Sequence, residues 1–324
     1  MTQSHNKKNL RLLITLIGLI ILTGVVMMWE PGNDQVAVDR NLFSVADTAA
    51  ITQVTIRNGE VVHTLAKTAG GWTLDGTHPA ETSVIQVLLS LVHDVQVFRP
   101  VSQRQTDSVR QYLQEQGYQV TLYSQDQVIQ DWQVGGSERT STSYFMEANS
   151  DQPYMVHLPG YRSYLAGLFQ MPANDWRQRV IISIPYNLLS SIQLDYTSEN
   201  LEDVNISFQN EFFAVEGLNE LDTGMMVQVI RQFDYFQTDY FINSGEFPRF
   251  DSLTDTSPAL SVTVSPLDAS QAQTLELWPL LPGDQYRLGR IDGELLLLED
   301  SRIRWMFLRP QDFKPQARQQ PTFR

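Results

Sequence analysis

Short runs of apolar residues separated by turn signals dominate the chain from residue 51 onward. Val54 with Ile56, Val62 with Leu65, and Trp72 with Leu74 read as half-buried strands, parted by Asn58-Gly59 and Gly70-Gly71. The Asn-Gly pair is a strong hairpin signal, because both residues tolerate the left-handed backbone of a tight turn. The period then changes. Val84, Val87, Leu88, Leu91 and Val95 recur three and four residues apart, which predicts a helix with one apolar stripe; Pro79 precedes it, and Glu81 favours its positive end. Strand-like runs follow at Tyr118–Tyr123, Val128–Val134, Tyr144–Glu147 and Tyr154–Leu158, closed by a short helix over Tyr161–Phe169.

A similar succession follows further along. Trp72-Thr73-Leu74-Asp75-Gly76 falls on Phe213-Ala214-Val215-Glu216-Gly217, and Glu81-Thr82-Ser83-Val84-Ile85 on Asp222-Thr223-Gly224-Met225-Met226. Leu88-Leu89 falls on Val229-Ile230, Val54-Thr55-Ile56 on Ile192-Gln193-Leu194, and Val120-Thr121-Leu122 on Val262-Thr263-Val264. Met225, Met226, Val229, Phe233 and Phe236 continue the second helical face, with Asp222 at its start. Strands at Leu260–Val264, Thr274–Leu280, Gln285–Gly289 and Leu295–Leu298 and a helix over Arg302–Leu308 complete the second set. A spacing this long is not that of a solenoid. Two related domains are expected, 46–179 and 180–314, each α+β with an antiparallel sheet, because strand runs followed by isolated helices do not show βαβ alternation.

The N-terminal stretch has neither period. Leu12 to Trp29 carries no charge, with Leu12, Leu16, Leu19 and Leu22 along it and Thr15 and Thr23 its polar side chains. As a helix this run is roughly 27 Å long, close to the ~30 Å of bilayer hydrocarbon. Lys7, Lys8 and Arg11 precede it and Trp29 ends it at headgroup level, so the positive-inside bias puts residues 1–11 in the cytoplasm and the bulk outside. A cleaved leader has the same order of features. The length of the apolar run and the lack of a small-x-small site near Val25–Trp29 favour an uncleaved anchor, a bacterial inner-membrane single span with a periplasmic body. Residues 30–45 read as a polar tether and 315–324 as a polar tail.

Composition narrows the chemistry. The 324 residues include no Cys, which removes disulfides, thiolate nucleophiles and cysteine metal sites. A net charge of −14 has the wrong sign for general attraction to nucleic acid. No nucleophile elbow, phosphate-binding loop, dinucleotide fingerprint or His-Glu-x-x-His pair is present. His63, His78, His93 and His157 do not fall one turn apart as a helical metal site prefers, so neither metal nor cofactor is expected. Gly135-Gly136-Ser137-Glu138-Arg139-Thr140 reads as a hairpin turn in preference to an anion nest, and Asp251 with Asp255 lacks the rest of a calcium loop. Phe233, Phe236 and Tyr240 on one helical face read as core, whereas Tyr235, Tyr240 and Phe241 form a candidate partner patch. Trp132 and Trp278 read as core in preference to sugar-stacking platforms.

These features resemble the domain of unknown function 4340 family of bacterial envelope proteins. The resemblance lies in the basic apolar anchor, Trp72, the acidic helix start and the helix Val84–Val95. It continues through Val134-Gly135, Tyr144-Phe145-Met146, Tyr154-Met155-Val156 and Trp176-Arg177-Gln178-Arg179, and covers residues 51–241. It implies a membrane-tethered accessory protein working beside an ABC-type exporter, with no catalytic residues to carry over. A glycan-binding or glycan-processing periplasmic protein, using aromatics and carboxylates, is the alternative expectation.

Overall fold

The computed structural model describes residues 15–20, 23–24, 38–161, 163–197 and 201–315. Its class is α+β with large antiparallel sheets. Contacts divide the chain into two units: Met1–Val62 with Val87–Gln170, and His63–Gln86 with Met171–Arg324.

In chain order the earlier elements are β1 (Gln53–Asn58), β2 (Val61–Thr68), β3 (Gly71–Leu74), β4 (His78–Pro79) and helix α1 (Thr82–Asp94). Then come β5 (Gln96–Pro100), α2 (Gln103–Gln116), β6 (Tyr118–Ser124), β7 (Gln127–Ser137), β8 (Thr142–Glu147) and β9 (Tyr154–His157). Strands of the first unit lie in the order β1-β6-β7-β8-β9-β5, all antiparallel. Alternation explains the β1–β6 ladder: Val54 faces Leu122 and Ile56 faces Val120, all four at most 2% exposed. Full burial of each such side chain contributes about 1.5–3 kcal/mol. Phe43, Trp132, Phe145 and Phe169 form an aromatic centre, with ring centroids 5.4–6.1 Å apart. Buried Ser143 fixes the next segment to the sheet, its Oγ accepting from the N–H groups of Leu165 (2.8 Å) and Ala166 (3.1 Å).

The later elements begin with α3 (Ala173–Trp176), β10 (Val180–Ile182), β11 (Leu189–Tyr196), β12 (Val204–Gln209), β13 (Phe212–Val215) and α4 (Thr223–Arg231). After them come β14 (Phe236–Gln237), β15 (Tyr240–Ile242), α5 (Pro248–Thr254), β16 (Leu260–Pro266), β17 (Gln273–Leu277), β18 (Tyr286–Ile291), β19 (Glu294–Glu299) and α6 (Asp300–Ile303). Eight of these strands form one antiparallel sheet in the order β13-β12-β11-β16-β17-β18-β19-β15. Its stretch from β11 to β15 repeats the connectivity of the first unit's six strands, including the strand that crosses over to pair with the last one. The register repeats too. Ile192 faces Val264 and Leu194 faces Val262, the positions that the sequence aligned with Val54, Leu122, Ile56 and Val120.

Several local expectations change. In α1 the core takes Ile85, Leu88, Leu91 and Val92, while Val87 is 57% exposed; Val87 lies roughly 200° round the helix from Ile85. The expected helix over 161–169 is a 3-10 segment, Leu165–Gln170. Helix α4 stops at Arg231, a 3-10 turn spans Gln232–Asp234, and Phe236 and Tyr240 belong to strands. Aromatic residues gain more from a pleated surface, and Phe236 is recruited by pairing with β10. Among the described residues no helix is long and apolar enough to cross a membrane. Of the expected span 12–29, residues 15–20 and 23–24 are described; they are helical, and Leu16 and Leu19 are 57% and 61% exposed. Leu12, Leu22 and Trp29, with Lys7, Lys8 and Arg11, lie outside the described residues.

Candidate functional site

The residues singled out from sequence scatter. His93 Nδ1 lies 2.7 Å from Asp94, His63 lies 3.6 Å from Asp75, and the His157 ring packs edge-on to Phe98. No group of three or more metal-ligating side chains converges among the described residues. Gly135 and Gly136 belong to β7, whose hairpin to β8 closes through Glu138–Thr140. Asp251 accepts the Gly245 N–H, while Asp255 ends α5. Trp132 and Trp278 are fully buried, their Nε1–H groups donating to Gln130 and to the Thr256 carbonyl. Trp72 is partly buried.

The proposed aromatic patch divides. Tyr235 and Tyr240 are 59% and 45% exposed, whereas Phe241 is buried at 7%. Neighbours along a strand point to opposite faces, so Tyr240 meets Tyr286 while Phe241 lies 3.3 Å beneath the Arg177 guanidinium. Phe241 thereby belongs to a polar hollow of about 460 Å³ in the second unit, with His78, Asn174, Arg177, Asn243 and Glu294. Charges there are already matched. Arg177 pairs with Glu294, His78 Nδ1 lies 3.5 Å from the same carboxylate, and Asn174 Nδ2 donates to the Phe241 carbonyl at 2.9 Å. The Trp176 carbonyl accepts the Glu81 N–H, and the Gln178 N–H donates to Pro79, so backbone bonds hold Arg177 in place. This is the arrangement of a tie: an aromatic face and a carboxylate fixing one guanidinium.

A second hollow is different in kind. About 540 Å³ in volume, it lies between the β12–β13 hairpin, α4 and the segments before β11 and after β16. Leu189, Phe213 and Ile230 form its buried floor, and Tyr186 (62% exposed), Phe208 (50%), Phe212 (36%) and Leu267 (65%) form its walls. Phe213 is braced edge-on by Phe208 at 5.3 Å and by Phe212 at 6.3 Å. Glu211 and Arg231 stand in its lining. The volume lies within the range of about 300–1,000 Å³ common to ligand pockets, and exposed aromatics around an apolar floor mark a binding surface.

The β2–β3 hairpin, its counterpart in the earlier succession, carries no such wall. In β2–β3 the pairs before the turn are Lys67↔Trp72 and Thr68↔Gly71; in β12–β13 they are Phe208↔Phe213 and Gln209↔Phe212. A hairpin of this form does not need Phe at its tip. Reading the sequence missed the groove because its walls come from four separate segments. One signal was available: Phe208 and Phe212 stand where the earlier succession has Lys67 and Gly71.

No family model matches the chain. No curated protein and no solved structure matches it.

Proposed function

We propose that the chain is a membrane-tethered interaction protein of the cell envelope, non-enzymatic, with its body displayed outside the membrane. The observation that carries the interaction role is the groove walled by Tyr186, Phe208, Phe212 and Leu267, apolar surface left exposed at a place where the fold does not require it. The tether rests on the uncharged run 12–29 behind Lys7, Lys8 and Arg11. The repeated connectivity and the shared β1–β6 and β11–β16 register support a duplicated body, in which one copy is free to specialise its hairpin. An ABC-type transport system as partner rests on the resemblance to the domain of unknown function 4340 family. Burial of Trp132 and Trp278 denies a sugar these two stacking platforms, whereas Trp72 is partly buried and the exposed rings of Tyr186, Phe208 and Phe212 are where a glycan-handling role would reside.

The test is affinity capture of the full chain from native membranes, comparing wild type with a Phe208→Ser/Phe212→Ser variant. A membrane or envelope protein is expected with wild type and lost with the variant. Identical recovered sets would overturn the reading.

A further inference from the structure

The chain segment that builds the groove and its open edge is strongly acidic. From Val180 to Ile230 the chain has eight acidic side chains and not one Lys or Arg. Asp195, Glu202, Asp203, Glu211, Glu216 and Glu220, from β11 through the segment after β13, are all exposed; Glu211 lines the groove, and Asp195, Asp203 and Glu216 stand toward the far end of the β12–β13 ladder. Among the described residues none of the six takes part in an ion pair, although eleven such pairs form elsewhere. Asp203 and Glu216 accept uncharged donors, the Tyr196 N–H and Asn205 Nδ2. Arg231 is the one cation in the lining; it closes α4, where positive charge answers the negative end of the helix.

The turn itself points the same way. Asn210 and Glu211 both have positive φ, 49° and 72°, as a two-residue hairpin turn of this hand requires. Asn is at home there, whereas the second position favours Gly, yet it carries a carboxylate at the mouth of the groove. Strand β13 is the last in its sheet, and its residues Phe212–Val215 include neither charge nor proline, the usual guards of an exposed edge.

We infer that this groove and edge dock a polypeptide segment of a partner protein that carries apolar anchors flanked by Lys or Arg. The apolar side chains enter between Phe208, Phe212 and Tyr186, while the segment runs along the β13 edge and its cations meet Glu211 at the turn end and Glu216 past the other end. A second copy of this chain would bring the same acidic surroundings, and anionic lipid or nucleic acid would bring more negative charge, so like-charge repulsion disfavours all three. The inference rests on the interaction role proposed above and adds the chemistry of the partner.

The experiment uses the purified full chain in detergent and a dye-labelled amphipathic peptide of Leu and Lys, with its Leu/Glu counterpart as control. Saturable binding of the Leu/Lys peptide is expected, weakened by added salt and absent for the control. The Phe208→Ser/Phe212→Ser variant should weaken it about tenfold or more. Glu211→Gly should weaken it without lowering the melting temperature, which separates recognition from folding. Tyr186→Ser serves if the double variant unfolds. Equal binding of both peptides, or Leu/Lys binding indifferent to these variants, would overturn the inference. If membrane capture still depends on Phe208 and Phe212 while the peptides are not discriminated, the partner chemistry fails and the interaction role stands; loss of both removes the role as well.

Discussion

Arg177 is held from three sides: by the main chains of its neighbours Trp176 and Gln178 against Glu81 and Pro79, by the Phe241 ring, and by Glu294. A lysine cannot lie flat on a ring and reach a carboxylate at once, so Arg177→Lys should destabilise the protein nearly as much as Arg177→Ala. Because Glu294 is 40% exposed, solvent screens the ion pair, and the Arg177→Ala loss should be about 1–3 kcal/mol, mostly from the stacked face. Urea midpoints measure this; an Arg177→Lys midpoint equal to wild type would contradict it. At Asp284, burial pushes the carboxyl up, but the N–H groups of Tyr286 and Gln285 and the Arg249 guanidinium outweigh it and hold the value below normal. A depressed folded value means stabilisation present at neutral pH and lost as pH falls from about 4 through that lower value. Acid unfolding monitored by circular dichroism should therefore have a shallower low-pH limb in Asp284→Asn, and an unchanged limb would exclude Asp284 from it. Glu211 spends conformational energy in its left-handed turn position, so Glu211→Gly should raise stability by about 1 kcal/mol.

At the scale of elements, the β7–β8 hairpin depends on Gly136. A Cβ there would stand 2.1 Å from the Thr142 carbonyl oxygen, at a φ of 150° that L-residues rarely adopt. Gly136→Ala should cost about 2 kcal/mol or more, read as a lowered thermal midpoint. Gly59→Ala, with open space round its Cβ but a φ of 58°, should cost only about 1 kcal/mol. Strands and turns were legible in the sequence because each strand of these ladders buries one face: Val54/Ile56 and Val262/Val264 alternate with polar residues, and Asn58-Gly59 marks a turn. Helix α2 was not legible. Within Gln103–Gln116 the apolar residues are Val109, Tyr112 and Leu113, too few to show a period, and Leu113 alone is fully buried. Beyond Arg231 the aromatic spacing suited a helix, but pairing with β10 decided the outcome, an interaction between residues more than fifty positions apart. The tie was half visible, since Arg177 lies in a motif the sequence singled out while Phe241 and Glu294 meet it only through the fold.

For the whole molecule, the charge pattern and the apolar start make one account. In the proposed reading, a basic start and the run 12–29 tether the chain, while a body holding nearly all of the acidic residues carries the groove and has no general affinity for anionic lipid. In intact spheroplasts, added protease should digest the body; protection that disappears on lysis would reverse the proposed topology. The most direct measurement places a photo-crosslinking amino acid at Phe212 of the otherwise native chain in intact cells, with exposed Thr68 beside the β2–β3 turn as the control position. One discrete polypeptide adduct is expected from position 212 and none of that mass from position 68. Adducts to lipid alone, equal adducts from both positions, or none from 212 would contradict it.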